Sequence, residues 1–264
     1  MKATDLSVSV DDVRIVETCA AHAWPAVSSV DLDGWLLRSS PGVSNRRSNS
    51  VLPVFGKETG QLAERIGQVE AFYKERGLPS RFMISPASIP QDLDQVLANL
   101  DYFIDAKTFV QWAKTDEITR ICRVDRDVEL ISMPTTDWMS VYMNGVQDAA
   151  EVSLKMQLID RIGADHTLAQ ISDESGPISV GLGVCEQGWA GIFCMHTLGR
   201  HRRQGSARQI LGALASWALK KGATNMYLQV EHDNPTARQF YESVGFVTQY
   251  GYHYRTKESG RVSQ

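Results

Sequence analysis

Residues 195–223, MHTLGRHRRQGSARQILGALASWALKKGA, set an apolar strand, a basic turn with a glycine in it and an amphipathic helix end to end. Ile210, Leu211, Leu214, Trp217 and Ala218 recur at helical spacing, which predicts a helix from about Gly205 to Lys221, with Gly222 where a C-cap belongs. Strand, turn and helix in that order begin a crossover, and the strand-like run Met226 to Val230 completes it, so a partly parallel sheet is expected. The same unit makes an anion site. The first turn of a helix leaves four backbone N–H groups without intrahelical partners, and the helix dipole adds partial positive charge there. Gly205 permits close backbone approach, and Arg202, Arg203 and Arg208 can neutralise two phosphates through forked hydrogen bonds. The fingerprint G-x-G-x-x-G and the G-K-[ST] ending of a nucleotide P-loop are both absent, which removes the usual signals for NAD and ATP. Ser206 and Gln209 spell S-x-x-Q, the pattern of a capping box.

Charge along the chain agrees with a bound anion. The 264 residues carry 27 Lys and Arg against 31 Asp and Glu, a net charge of −4. Between Glu186 and Glu231 there is no acid, while Arg200, Arg202, Arg203, Arg208, Lys220 and Lys221 all fall there. A solvated basic face would look the same, but a nucleic-acid patch would interleave aromatic residues with the bases and sit in a basic domain. With 43% hydrophobic and 22% charged residues the chain can bury a core, and its length suits one large domain or two small ones. No apolar run approaches a membrane span and MKATDLSVSVDDV lacks the apolar stretch of a secretion signal, so a cytoplasmic location is expected. Cys19, Cys122, Cys185 and Cys194 form no C-x-x-C pair, which predicts buried thiols and no metal site.

The mostly charged stretch Lys114 to Asp127 reads as a linker, or a strand entering the second half. Beyond it the pattern predicts strand Val128–Ser132, helices Asp137–Gly145 and Ala150–Gly163, and strands His166–Asp173, Ile178–Val184 and Trp189–Leu198. After the basic helix come strand Met226–Val230, helix Pro235–Val244 and strand Phe246–Arg255. The first half repeats the late pattern weakly: helix Gln61–Gly77, strand Arg81–Ser85, helix Gln91–Leu100 and strand Tyr102–Trp112. Gly60 stands 17 residues before Gly77, as Gly205 does before Gly222. A duplicated fold is expected.

At this point the residues resemble the GNAT N-acetyltransferases. Their signature Q/R-x-x-G-x-G/A is matched by R-R-Q-G-S-A at Arg202 to Ala207, and NPTARQFYESVGF matches N-x-x-A-x-x-x-Y-x-x-x-G-F at Asn234, Ala237, Tyr241, Gly245 and Phe246. The resemblance covers roughly residues 128–256. It implies an α/β fold with a mixed α+β sheet, in which two central parallel strands splay apart in the C-terminal half to admit acetyl-CoA. It further implies that the pyrophosphate rests on Arg202, Arg203, Gln204, Gly205, Ser206, Ala207 and Arg208. The pantetheine arm would pair with Met195, His196 and Thr197, with Asn234, Ala237 and Tyr241 on the other side. A homodimer is compatible with the family, and a metal or membrane is not needed.

The implied chemistry is direct attack of a neutral primary amine, on a small molecule or a protein, on the thioester carbonyl. Backbone N–H groups near Thr197 polarise that carbonyl, and Tyr241 protonates the departing thiolate. For the general base His196 and Glu231 are both candidates. Asp173 and Glu174 would attract a cationic acceptor. Cys194 lacks an evident base and reads as a structural thiol rather than a nucleophile.

The expected domains are a degenerate GNAT-like unit over residues 1–115 and a catalytic unit over 126–264. In the first, Glu58 stands where the second has Arg203 and Leu62 where it has Ala207, which would repel phosphate. Two groups could instead help to build an acceptor pocket: the segment Gly34–Pro53, with Arg38, Asn45, Arg46, Arg47 and Asn49, and the aromatic Trp24 and Trp35. Solvated charges and core aromatics are the plainer expectation for them. A CoA-binding regulator without turnover is the alternative function.

Overall fold

Eleven strands form one mixed sheet in the computed structural model, which describes residues 8–56 and 62–258. In the first half these are helix α1 (Val10–Ala23), strands β1 (Ser28–Leu32), β2 (Trp35–Ser39) and β3 (Val51–Leu52), helix α2 (Leu62–Lys74), strand β4 (Ser80–Ile84), helix α3 (Leu93–Asn99) and strand β5 (Phe103–Lys114). Helix α4 (Thr115–Ile121) follows. The second half contains β6 (Glu129–Ile131), α5 (Thr136–Tyr142), α6 (Ala149–Asp160), β7 (Asp165–Asp173), β8 (Gly176–Glu186) and β9 (Trp189–Thr197). After these come α7 (Ser206–Lys220), β10 (Asn225–Glu231), α8 (Pro235–Ser243) and β11 (Val247–Lys257). Each element predicted from Val128 onward is present, with ends moved by a few residues.

The strand order, β1-β2-β3-β4-β11-β5-β10-β9-β8-β7-β6, is nearly palindromic in pairing. On the left β1, β2 and β3 pair antiparallel and β3 joins β4 parallel; on the right β7, β8 and β9 pair antiparallel and β9 joins β10 parallel. At the centre the two halves exchange their last strands. β11 lies between β4 and β5, and β5 lies between β11 and β10, all antiparallel. This arrangement agrees with a duplicated unit. The segment 57–61, which held the expected counterpart of the basic turn including Glu58 and Gly60, lies outside the described residues. Leu62 begins α2.

Helices cover both faces of the sheet because both faces alternate apolar side chains. On one face α1, α5 and α6 pack with Val110, Leu182, Phe193 and Tyr227. On the other, α2 and α3 cover the first half, and α4, α7 and α8 cover the second. Helix α7 is anchored by Ile210, Leu211 and Leu214, each fully buried. Burial of side chains this size contributes about 1.5–3 kcal/mol each, so its position is firmly set.

The charged stretch after Lys114 is neither linker nor strand over Thr115–Ile121, but helix α4. Its charges, Asp116, Glu117 and Arg120, are exposed, whereas Ile118 and Cys122 are buried against α7. A single apolar stripe was masked by the surrounding charge. Contact there is close enough that a Cβ at Gly212 would lie 1.9 Å from the Cys122 carbonyl oxygen. No element ahead of Gln61 is predicted by the sequence pattern, yet α1 and β1–β3 form there.

The strand exchange has a direct consequence for any fragment. Residues 126–264 alone would lose β5, which pairs along the whole of β10, and leave β11 with neither neighbour. Expressed alone, this half should aggregate or unfold without a cooperative transition; co-expression with residues 1–125 should restore one. A sharp thermal transition of the isolated half at the full chain's temperature would contradict this.

Candidate active site

Parallel strands β9 and β10 pair only at their beginnings. Asn225, Met226 and Tyr227 are in register with Trp189, Ala190 and Gly191, after which β9 continues to Thr197 and β10 to Glu231 without pairing. Each is held on its other side, β9 by β8 and β10 by β5, so the gap cannot be closed by sliding. A bulge adds to the divergence. Phe193 pairs with Leu182 and His196 with Val180, leaving Cys194 and Met195 opposite Gly181, and Cys194 has a φ of +53°. The extra residue breaks the side-chain alternation expected for a plain strand: Phe193 and Cys194 both pack on the α1 face, and Met195 on the α7 face.

The gap opens into three connected regions. A groove of about 790 Å³ runs over the basic turn and is lined by Met195, His196, Thr197, Arg202, Arg203, Gly205, Ser206, Ala207, Arg208, Asn234, Ala237 and Tyr241, among others. Gln204 of the turn is absent from this lining; its carbonyl accepts a 2.8 Å hydrogen bond from Arg126. Between the strands lies a space of about 340 Å³ that shares Met195, Asn234, Ala237 and Tyr241 with the groove and adds Glu231. On the α1 face lies a cavity of about 270 Å³, which shares Arg47, Tyr142, Phe193, Cys194, Gln229 and Glu231 with that space.

At the turn, Gly205 is the N-cap of α7 with φ +85°, and Arg203 has φ +62°. Both stand in the left-handed region beside the open N-terminus of α7, where free backbone N–H groups suit an anion. Among the described residues the N–H groups of Arg203, Gln204 and Gly205 make no hydrogen bond, while that of Arg208 bonds the Gly205 carbonyl at 3.0 Å. The capping box expected from Ser206 and Gln209 does not form. Ser206 is the first helical residue rather than the cap, and Gln209 turns away to accept from the Asp125 N–H at 2.8 Å and donate to the Arg123 carbonyl at 3.2 Å. The physical result favours an anion: no side chain occupies the cap. Arg126, outside the motif, ties the turn to the segment after α4. Arg202 donates to the Thr197 carbonyl at 3.0 Å, so part of its hydrogen-bonding capacity is spent on the turn itself.

Asn234 caps α8 by accepting from the Ala237 N–H at 3.1 Å, which fixes its side chain at the groove wall. Tyr241 lines both the groove and the inter-strand space, and burial pushes its phenol above the ordinary value. His196 lines only the groove. Burial and the nearby Arg202 charge lower its pKa, and its Nε2 has no hydrogen-bond partner among the described residues. Glu231 lines the inter-strand space and the small cavity, so of the two base candidates it is the one beside both. Asp173 and Glu174 lie in neither region: Asp173 accepts from Ser175 and faces His201 at 3.6 Å. Burial pushes the Cys194 thiol up to about 12, which leaves it protonated. All four cysteines are unpaired.

The small cavity is where the first half enters the site. Trp24, Asn45, Arg46, Arg47 and Thr108 line it together with Tyr142, Phe193, Tyr252 and Tyr254 of the second half. The plainer expectation of a solvated charge therefore fails for Arg47, whose Nε is buried, whereas Arg46 keeps 40% of its side chain exposed. Trp35 and Arg38 are buried elsewhere, Trp35 under Arg65 and Arg38 on Ser50. Sequence reasoning missed Tyr142, Gln229 and Tyr252, because no local signal marks residues that meet only through the strand exchange.

A central parallel pair that splays beside a glycine-containing anion turn defines the GNAT class of N-acetyltransferases. Residues 10–255 match the family described as the C-terminal region of the probable histone acetyltransferase Rv0428c, and the chain belongs to that family. It is 29% identical over 262 residues to the uncharacterized N-acetyltransferase YobR of Bacillus subtilis, covering 94% of this chain and all of that one. It is also 29% identical to the probable histone acetyltransferase Rv0428c of Mycobacterium tuberculosis, covering 92% of this chain and 73% of that protein. Its fold is similar to that of a GCN5-related N-acetyltransferase from Kribbella flavida, with a TM-score of 0.68, 13% identity and 98% of each chain covered. A tandem GNAT protein from the clavulanic acid biosynthesis pathway gives a TM-score of 0.67 at 12% identity, covering 96% of this chain and 89% of that one. The chain is an N-acetyltransferase, and among the described residues no helix is long and apolar enough to cross a membrane.

Behind the small cavity Glu17 of α1 is almost wholly buried, accepting from Tyr250 at 2.7 Å and from Gln229 at 3.1 Å. Burial raises its pKa to about 7, against the opposing pull of those bonds and of Arg47 and Arg38. The unfolded carboxyl ionises near 4.3, so the stability linked to Glu17 is complete below that value and is lost as pH rises toward 7. Urea titrations at pH 5 and pH 8 should show the wild type losing about 2–3 kcal/mol relative to Glu17→Gln over that interval, on the same linkage. Parallel behaviour of the two proteins would contradict it.

Proposed function

We propose that this enzyme transfers the acetyl group of acetyl-CoA directly to a primary amine, with the cofactor in the groove and the acceptor in the small cavity. One observation carries the reading: the inter-strand space joins the anion turn to the cavity, and Tyr241 and Glu231 both face it. The groove residues fit a thioester with two linked phosphates. Unbonded N–H groups of the turn, with Arg203 and Arg208, meet the phosphates, and the unpaired edge of β9 from Met195 to Thr197 offers the pantetheine amides a strand to pair with.

Acetyl-CoA supplies the activated carbonyl. The residues supply position and proton transfer. Glu231 accepts the proton of the incoming ammonium, directly or through one water, and the freed nitrogen forms the new C–N bond. As the C–S bond breaks, its electron pair stays on sulfur and Tyr241 gives that sulfur its hydroxyl proton, to be replaced from solvent. A phenol is protonated at neutral pH, so its proton is available as the thiolate appears. His196, confined to the groove, is better suited to packing beside the cofactor than to taking the amine's proton. The division into residues 1–115 and 126–264 is retained as a proposal about evolutionary units, with each unit contributing one wall of the acceptor cavity.

Three substitutions test the assignment. Tyr241→Phe should lower kcat about 100-fold or more while the dissociation constant for CoA stays within about twofold, the usual weight of a general acid. Glu231→Gln should lower kcat/KM most at acidic pH, where fewer acceptor molecules are already deprotonated. Arg208→Ala should weaken CoA about tenfold in calorimetry, the loss of one charge-assisted bond. Full activity of Tyr241→Phe would remove its role, and CoA binding without turnover of any amine would favour a regulatory protein.

A further inference from the structure

Two hydrogen-bond donors lining the small cavity have nothing to bond. The Asn45 Nδ2 and the Arg47 Nε are both buried and without a partner among the described residues. The Asn45 side-chain orientation is not free. Its Oδ1 accepts from the Ser48 N–H and from the Ser48 hydroxyl, both at 2.8 Å, so the amide nitrogen is the end left over. Arg47 is likewise held: its Nη2 donates to the Gln229 Oε1, and its guanidinium lies 5.4 Å from the Phe193 ring centre. Gln229 is itself fixed by Glu17 and Tyr252. Buried donors left unmet carry an unreturned desolvation cost, so a pair of them on residues that line one cavity argues for a ligand that accepts.

The charges around the cavity say what kind of acceptor atom. Arg46 bonds Asp105 twice, at 2.8 and 2.9 Å, and shares that carboxylate with Arg81 at 3.7 Å. Arg47 forms no salt bridge among the described residues, and the carboxyl behind it, Glu17, is half-protonated near neutral pH. Its neighbour Arg38 is also buried without a carboxylate partner, held by Ser50. The lining therefore holds a guanidinium without a salt bridge, Arg47, and a carboxylate, Glu231, together with the aromatic Trp24, Tyr142 and Phe193. Its volume of about 270 Å³ lies at the small end for ligand sites, which run from about 300 to 1,000 Å³.

Resting on the acetyl-transfer reading above, we propose that the acceptor is a small amine that carries its own carboxylate, an amino acid or a close relative of one. Its carboxylate docks on Arg47 and Asn45 and its amine points toward Glu231. A planar carboxylate offers two oxygens to the Nε–H edge of the guanidinium and a further lone pair to the Asn45 amide, which satisfies both orphan donors at once. The reaction is the one already given: the amine nitrogen bonds to the acetyl carbon, the C–S bond breaks, and the carboxylate is unchanged.

The test offers the intact protein free amino acids from glycine to phenylalanine, each beside its amide and its decarboxylated amine, whose basicities bracket its own. An aminoalkyl phosphate and a lysine peptide with blocked termini complete the panel, and CoA release is the signal. At least one free amino acid should exceed both of its matched partners by tenfold or more in kcat/KM. Arg47→Met and Asn45→Ala, each checked by its thermal transition, should move that ratio toward one by raising KM, and Arg47→Lys should retain part of it. Partners that react as well as the acid, a phosphate or peptide preferred over every amino acid, or a preference that survives in folded Arg47→Met would each overturn the proposal. Calorimetry with acetyl-CoA separates the two levels: binding with a preference for uncharged amines sinks this proposal alone, whereas a protein that binds no acetyl-CoA sinks the parent reading first.

Discussion

The site depends on backbone pairing that stops short. β9 and β10 share three register positions and then part, leaving the facing edges of two central strands without partners inside a sheet that is otherwise paired. Such an opening would normally collapse, because unpaired backbone groups in a sheet interior carry a desolvation cost. Here the outer edges of both strands are tied along their lengths, β9 to β8 and β10 to β5, and the bulge at Cys194 bends β9 away. The open edge persists as a place where an extended ligand can bond as a further strand does.

Exchange of the final strands gives this geometry its second function. Because β5 of the first half backs β10, residues of the loop before β3 are carried across to the mouth of the gap. Asn45, Arg46 and Arg47 reach a cavity whose other wall comes from α5 and β9. A single GNAT unit of this chain would have the groove but only one side of that cavity. The second half alone would supply the anion turn, Tyr241, Glu231 and part of the small cavity, without Asn45, Arg46 and Arg47.

Charge is arranged differently in the two regions. At the turn, cations accompany free backbone N–H groups and stand in solvent, a combination suited to phosphate. In the cavity the Arg47 guanidinium is fixed by Gln229 and Phe193, while Arg46 shares Asp105 with Arg81. Uncancelled charge in a small, partly apolar space discriminates more sharply than charge in water, since the ion gains less from bulk solvent.

What was legible in the amino-acid order was local. The alternation of strands and helices after Val128 and the helix after the basic turn follow from periodicity over short stretches, while Asn234 and Tyr241 were marked by the family resemblance and line the groove. Charge statistics concealed α4, whose one apolar stripe is visible only beside α7, and the capping box failed because Gly205 rather than Ser206 took the cap. Neither the strand exchange nor the meeting of Asn45 and Arg47 with Gln229 and Glu231 could be read from spacing. These groups lie far apart along the chain, and the pairing of β5 with β10 and β11 that joins them is a long-range choice among many strand edges with similar local propensity. By itself the sequence determined the kind of unit and its anion seat, because helix ends and turns are dictated by neighbours. Only the tertiary structure decided which residues enclose the small cavity, because that rests on which edges pair.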